Sequence, residues 1–254
     1  MVLAIDIGNT NIVIGGFDKD KIVFIERIST NKSSTSLEYT VLFKTVIELN
    51  GLDSRSFDGG IVSSVVPSVT NLVKTAVEKL IDKDVMVLGP GIKTGLKIQI
   101  DNPAQAGADL VAGAVAAVNY YNPPMVVIDL GTATTVSVID QNSAFIGGLI
   151  MPGVRASLDA LANSTSQLPS ISLDAPKNII GTNTVDCMRS GVVYSTASSI
   201  DGIISRIEAE LGKECTIIST GGLSSTIVPF CNHDIIIDDE LLLKGLMIIY
   251  NKNK

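Results

Sequence analysis

The chain has 254 residues, 46% hydrophobic and 18% charged, with a formal net charge of -7 and only 4% aromatic residues, none of them Trp. This composition excludes disorder and suffices for one large domain or two ordinary ones, each with its own core. The acidic balance and the scarcity of flat rings exclude nucleic acid as a partner, because phosphate tracking needs cations and base stacking needs aromatics.

The opening Met1-Val2-Leu3-Ala4-Ile5-Asp6 has no basic stretch and carries an acid inside its apolar run, so no signal peptide is expected. Apolar runs such as 125–128 and 235–237 are strand-length and stop at Asp129 and Asp238, so no membrane partner is expected and the protein is placed in the cytoplasm. Residues 2–7, 11–17 and 21–28 read as three strands joined by turn chemistry at Gly8-Asn9 and Asp18-Lys19-Asp20. A helix is expected over 37–49, a strand over 60–65, a helix opened by Pro67-Ser68 and running to 81, a strand over 84–88 and a helix over 104–121.

After the break at Asn122-Pro123-Pro124 the opening pattern returns. Leu3-Ala4-Ile5-Asp6-Ile7-Gly8-Asn9-Thr10 has its counterpart, 123 residues on, in Val126-Val127-Ile128-Asp129-Leu130-Gly131-Thr132-Ala133. Strands over 135–140 and 144–150 complete a second meander, followed by helices over 154–162 and 184–211, a strand over 216–219, and further helix and strand. This is an internal duplication of one mixed α/β unit, dividing the chain into domains 1–122 and 123–254.

The duplicated turn is the main chemical signal. A strand ending in Asp-x-Gly brings backbone N–H groups and a Thr hydroxyl to a ligand's phosphates, while the carboxylate holds a neutralising cation. One such turn is more often a plain strand cap; two at equivalent points of a repeat, at Asp6 and Asp129, favour a nucleotide triphosphate held between facing halves. Gly89-Pro90-Gly91-Ile92-Lys93-Thr94-Gly95 looks like a phosphate loop, but Pro90 lacks the needed N–H, so a structured loop is expected. Gly221-Gly222 is read either as an adenosine contact or as a tight strand-to-helix turn. Asp109, among small and apolar residues at a helix start, is the unused acid best suited to accept a proton, although such an acid commonly serves only the helix dipole. Three cysteines without a C-x-x-C pair, Cys187, Cys215 and Cys231, are expected to be buried reduced thiols, and the single histidine, His233, to lie in a surface loop.

Taken in order, Asp6-x-Gly-Asn9-Thr10-Asn11, Gly89-Pro90-Gly-x-Lys93-Thr94-Gly95, Asp101-Asn102-Pro103, Gly107-Ala108-Asp109, Asp129-x-Gly131-Thr132-Ala133-Thr134, Gly147-Gly148-x-Ile150-x-Pro152-Gly153, Asn183-Thr184-Val185 and Gly221-Gly222-Leu223 resemble the type III pantothenate kinases of the actin-like sugar-kinase superfamily. The resemblance implies a duplicated ribonuclease-H-like (actin-like ATPase) fold, two related domains around a nucleotide cleft, and a homodimer. It implies ATP with Mg2+, and K+ or NH4+ as a monovalent cation. Position by position it implies an ATP-binding turn at Asp6, Gly8, Asn9, Thr10 and Asn11, with Thr132 as its partner in the second half. Asp6 is implied to hold the divalent cation with ATP, and Asp129 the monovalent one. The substrate is implied to meet Gly107, Ala108, Asp109 and Thr184, with Asp109 as general base. The family carries Arg directly after Gly-Ala-Asp and Tyr directly before Asp-Asn-Pro; here Leu110 and Ile100 occupy those substrate-side positions. Phosphorylation of another small alcohol, and an accessory nucleotide-binding protein with little turnover, are the competing readings.

Overall fold

The computed structural model describes all 254 residues. Strands β1 (Val2–Ile7), β2 (Asn11–Asp18) and β3 (Lys21–Ser29) form the first meander. Helix α1 (Ser36–Leu49) starts where Thr35 and Glu38 cap each other: the Thr35 N–H donates to the Glu38 carboxylate at 2.6 Å, and the Glu38 N–H donates to Thr35 Oγ1 at 3.3 Å. Strand β4 (Gly59–Ser64), helix α2 (Pro67–Ile81) and strand β5 (Val85–Val87) follow. Pro67 sits where α2 needs no donor, and Asp82 ends that helix in the left-handed region at φ 54°.

The first sheet has the order β3-β2-β1-β4-β5, antiparallel across β1 to β3 and parallel from β1 to β5. Its core joins Leu3, Ile5 and Ile7 of β1 to Tyr39, Phe43 and Ile47 of α1 and Val69, Val73 and Val77 of α2. Burial of these apolar side chains is the main stabilising contribution.

Strand β6 (Lys97–Ile98) and helix α3 (Ala108–Tyr120) lead into β7 (Met125–Leu130), β8 (Ala133–Ile139) and β9 (Ala144–Pro152). Helices α4 (Val154–Ser164) and α5 (Thr184–Leu211), strand β10 (Thr216–Thr220), helix α6 (Ser224–Ile227), strand β11 (Ile236–Ile237) and helix α7 (Leu241–Asn253) complete the chain. The second sheet has the order β11-β10-β7-β8-β9-β6. Strands β9-β8-β7-β10-β11 repeat the order and directions of β3-β2-β1-β4-β5, and β6 is an addition parallel to β9.

The chain divides into two compact units: Met1–Leu96 with Asn102–Ala116 and Leu241–Lys254, and Lys97–Asp101 with Ala117–Glu240. A division at 122/123 falls between the two five-strand repeats, whereas by contacts α7 belongs with the first unit and β6, which precedes that point, with the second. In the first unit α7 packs on β1 and β4, and it meets α3 where Gly245 lies against the Ala112 carbonyl, so close that a Cβ at Gly245 would collide with it. Helix α3 begins at Ala108, not at 104, because the Asn102 side chain accepts the Ala104 N–H at 3.2 Å and holds a separate single turn over Pro103–Gln105. The three cysteines are free, but none is fully buried, and Cys187 is exposed. No helix is long and apolar enough to cross a membrane.

Candidate active site

In the first unit Asp6 is the penultimate residue of β1, partly buried, and pairs in register with Val13 of β2 and Ser63 of β4. The turn from Gly8 to Asn11 closes with a Gly8 N–H to Asn11 carbonyl bond of 2.9 Å. Thr30 braces it by donating its hydroxyl to the Gly8 carbonyl at 2.7 Å and its N–H to the Thr10 carbonyl at 2.9 Å. The braced turn presents Asn9 and Thr10 to solvent. A Cβ at Gly8 would stand 3.1 Å from the Asn11 carbonyl oxygen, a tight contact that the closed turn would have to yield by a few tenths of an ångström to admit.

Sequence reasoning passed over Ser63. Its hydroxyl is fully buried without a hydrogen-bond partner. Paired positions of parallel strands point to one face, so this hydroxyl lies on the same face as Asp6 on the neighbouring strand. An orphaned polar atom beside an acid was not foreseeable, because a serine late in an apolar strand carries no periodic signal.

Gly107, Ala108, Asp109 and Leu110 also lie in the first unit, where α3 begins. The Leu110 N–H donates to Asp109 Oδ1 at 2.8 Å, and a Cβ at Gly107 would run into that oxygen, so Gly107 makes room for the carboxylate. Burial pushes the Asp109 carboxyl above the usual carboxylate range, against the opposing pull of the Leu110 N–H and its own. A carboxylate made more basic by desolvation is suited to accepting a proton from a hydroxyl.

The loop from Gly89 to Gly95 is a structured connection, as expected: the Lys93 N–H donates to Asn253 Oδ1 at 3.0 Å and the Asn253 amide returns a bond to the Lys93 carbonyl at 2.9 Å. One backbone donor of the loop, the Lys93 N–H, is therefore spent on α7.

In the second unit Asp129 holds the equivalent place on β7, in register with Thr135 of β8 and Thr220 of β10. The turn after it is shorter than the first. Ile7 pairs with Ile12 but Leu130 pairs with Thr134, and the Gly131 N–H donates to the Ala133 carbonyl at 3.1 Å. Thr132 is exposed at its tip. Gly221 adopts φ 93°, and a Cβ there would collide with Asp129 Oδ1 and the Leu130 backbone. The Gly221-Gly222 pair is thus a tight strand-to-helix turn packed on Asp129. Ile100 follows β6 and is partly buried, and the Gln99 N–H fastens that segment to the Phe145 carbonyl at 2.8 Å.

Thr184 is the first residue of α5, whose N-cap Asn183 accepts the Asp186 N–H at 3.0 Å. It lines a cavity of about 580 Å3 with Leu161, Leu168, Gly181, Asn183 and Met188, none of which belongs to the Asp129 turn. The irregular segment 165–183 beside it is clasped to α5: Arg189 donates to Asp174 at 2.7 Å and to Ser172 Oγ at 3.0 Å, and Ser190 donates to the Ile179 carbonyl.

No cluster of three or more His, Cys, Asp or Glu side chains that could enclose a metal ion is present. A cation here would rest on one carboxylate supplemented by phosphate, backbone and water oxygens. That is the ordinary arrangement for Mg2+ with a nucleotide, and the Asp6 and Asp129 turns offer the hard oxygen donors it requires.

A family description, type III pantothenate kinase, matches residues 2–206. The type III pantothenate kinase of Halalkalibacterium halodurans is 40% identical over 253 residues, covering 100% of both chains. That of Exiguobacterium sibiricum is 41% identical over 254 residues, again covering 100% of both. Among solved structures, component A of the (R)-2-hydroxyglutaryl-CoA dehydratase of Acidaminococcus fermentans superposes with a TM-score of 0.58 at 16% identity, covering 98% of this chain and 96% of that one. The last likeness concerns the fold alone; together with the repeated strand order it identifies the duplicated ribonuclease-H-like architecture.

Proposed function

The chain belongs to the type III pantothenate kinase family, and from that premise we propose that it transfers the γ-phosphoryl group of ATP to pantothenate, giving 4'-phosphopantothenate for coenzyme A biosynthesis. The observation that carries this reading is the roughly 40% identity to family members along the whole chain. In the proposed reaction the primary hydroxyl of pantothenate attacks the γ-phosphorus, the bond to the ADP oxygen breaks, and the hydroxyl proton passes to Asp109. The upward push of burial on Asp109 supports that role. Gly107 leaves space for its carboxylate, and the Leu110 N–H orients it.

Asp6, Gly8, Asn9, Thr10 and Asn11, with Thr132, are proposed to bind ATP, the backbone of the braced turns meeting phosphate oxygens. Asp6 would hold Mg2+ and Asp129 would hold K+ or NH4+; these cations supply charge neutralisation for the phosphates. Substrate contacts are proposed for Ile100, Gly107, Ala108, Leu110 and Thr184. The protein is proposed to work in the cytoplasm and as a homodimer. Exposed Ile179 and Ile180, 63% and 78% accessible beside the Thr184 cavity, support an interface there. Light scattering is expected to give twice the 26.7 kDa chain mass; an active monomer would contradict it.

Leu110 and Ile100 favour one refinement. Neither offers a charge or a hydrogen bond where the family has Arg and Tyr. Because a charge-assisted hydrogen bond contributes about 1.5 to 3 kcal/mol, kcat/KM for pantothenate is expected to be roughly ten- to a hundredfold below that of a typical member. The double variant Ile100→Tyr, Leu110→Arg is expected to recover it. A panel of small alcohols assayed for ADP release with ATP, Mg2+ and K+ tests both the substrate and the refinement. No gain in the double variant would mean that another cation already meets the carboxylate. Arg155 at the start of α4, or Arg189 once released from Asp174, would then be candidates for that cation. A preference for an uncharged alcohol would replace pantothenate as the substrate.

A further inference from the structure

Away from the residues assigned to phosphoryl transfer, helix α5 and the loop before β11 bring together a serine, the only histidine of the chain and a buried aspartate. Asp201 is 9% accessible and faces the loop. Its carboxylate accepts the backbone N–H groups of Asn232, at 2.8 and 2.9 Å, and of His233, at 3.1 Å, as well as the Asn232 side-chain amide at 2.9 Å. Its Oδ1 lies 2.8 Å from His233 Nδ1. Burial raises the Asp201 pKa, but the bonds from His233 and Asn232 outweigh it and hold the group below the usual range, so it is a carboxylate at neutral pH.

A carboxylate only accepts, so the proton of the neutral imidazole sits on Nδ1 and the Nε2 lone pair is free to accept. Nε2 points at Ser205 Oγ, 3.5 Å away, one helical turn beyond Asp201 on the same face of α5. Ser205 is exposed, and its hydroxyl donates to the Asp201 carbonyl at 3.1 Å; turning the O–H about the Cβ–Oγ bond redirects the proton to Nε2. Nucleophile within reach of base, and base oriented by a buried acid, is the arrangement that activates a serine on unrelated folds.

We propose that Ser205, with His233 as its base and Asp201 as the residue that orients His233, is a nucleophile that accepts an acyl group from activated esters and thioesters. In the step Ser205 Oγ bonds to the acyl carbon and its proton moves to His233 Nε2. The bond from that carbon to the alcohol or thiol breaks, and the leaving group departs with the proton from Nε2 or as an anion while the proton goes to solvent. The products are an O-acyl serine and a free alcohol or thiol, with no change in oxidation state.

p-Nitrophenyl acetate is the probe, with the site of acetylation read by peptide mass spectrometry on the intact purified protein. One acetyl group on Ser205 is expected, with release of p-nitrophenolate in step, and acetylation of that residue is expected to slow by about a hundredfold or more in His233→Gln. Ser205→Ala, a surface change that leaves the loop contacts of Asp201 in place, is expected to remove the fast phase of p-nitrophenolate release. Acetyl groups confined to lysines, a fast phase that persists in Ser205→Ala, or an unchanged Ser205 rate in His233→Gln would overturn the proposal and leave the three residues as a clamp between helix and loop.

Discussion

Asp109→Asn is expected to lower kcat by roughly 10²-fold or more, with little change in nucleotide affinity. The substitution keeps the shape and the acceptor oxygen that receives the Leu110 N–H at 2.8 Å, and it removes the ability to take a proton. Because burial raises the carboxyl, the acid limb of the wild-type kcat/KM profile should lie above the ordinary carboxylate range. The sign follows directly: the base is active when ionised, so activity rises with pH through the raised pKa, and this limb is absent from the residual activity of the Asn variant. Near-normal turnover in Asp109→Asn would reduce Asp109 to a charge that favours the start of α3.

The second large effect is expected at Asp129. Its carboxylate packs against the backbone of Gly131 and Gly221, a fixed oxygen donor at the end of a central strand. If it holds the monovalent cation, wild-type activity should be high in K+ or NH4+ and low in Na+, since a site of fixed size discriminates among ions by radius. Asp129→Ala should lose both the discrimination and most of the activity. Removal of one charge-assisted ligand from a partly buried site corresponds to about ten- to a hundredfold in cation affinity. Equal wild-type rates in the three salts would remove the cation from the account.

Much of this molecule is legible in its sequence where the signal is local. The expected limits of α2 and α5 coincide with the observed helices, because Pro67, Asn183 and Gly212 mark their ends through backbone geometry that only a few residue types satisfy. The duplication is legible because Asp6-x-Gly8 and Asp129-x-Gly131 each end a buried strand, and the two sheets repeat one order. What depends on distant contacts is not legible. Nothing in Leu241–Asn253 states that α7 packs on β1 and β4, and the two residues of β6 are too few to form a pattern. The second turn is one residue shorter, because register is set by pairing across the hairpin, which an ungapped comparison misses. In the site, Asp109 is identifiable as an acid among small residues, whereas its desolvation and the orphaned Ser63 hydroxyl required the folded chain, as did the binding of His233 to Asp201 outside it.

The most direct test of the central proposal is to identify the product formed by the purified protein from ATP and pantothenate in the presence of Mg2+ and K+. Mass spectrometry with phosphorus NMR is predicted to find one phosphate ester on the primary hydroxyl of pantothenate, formed in equal amount with ADP. ADP release no greater than in the absence of pantothenate, with no phosphorylated pantothenate detected, would contradict it.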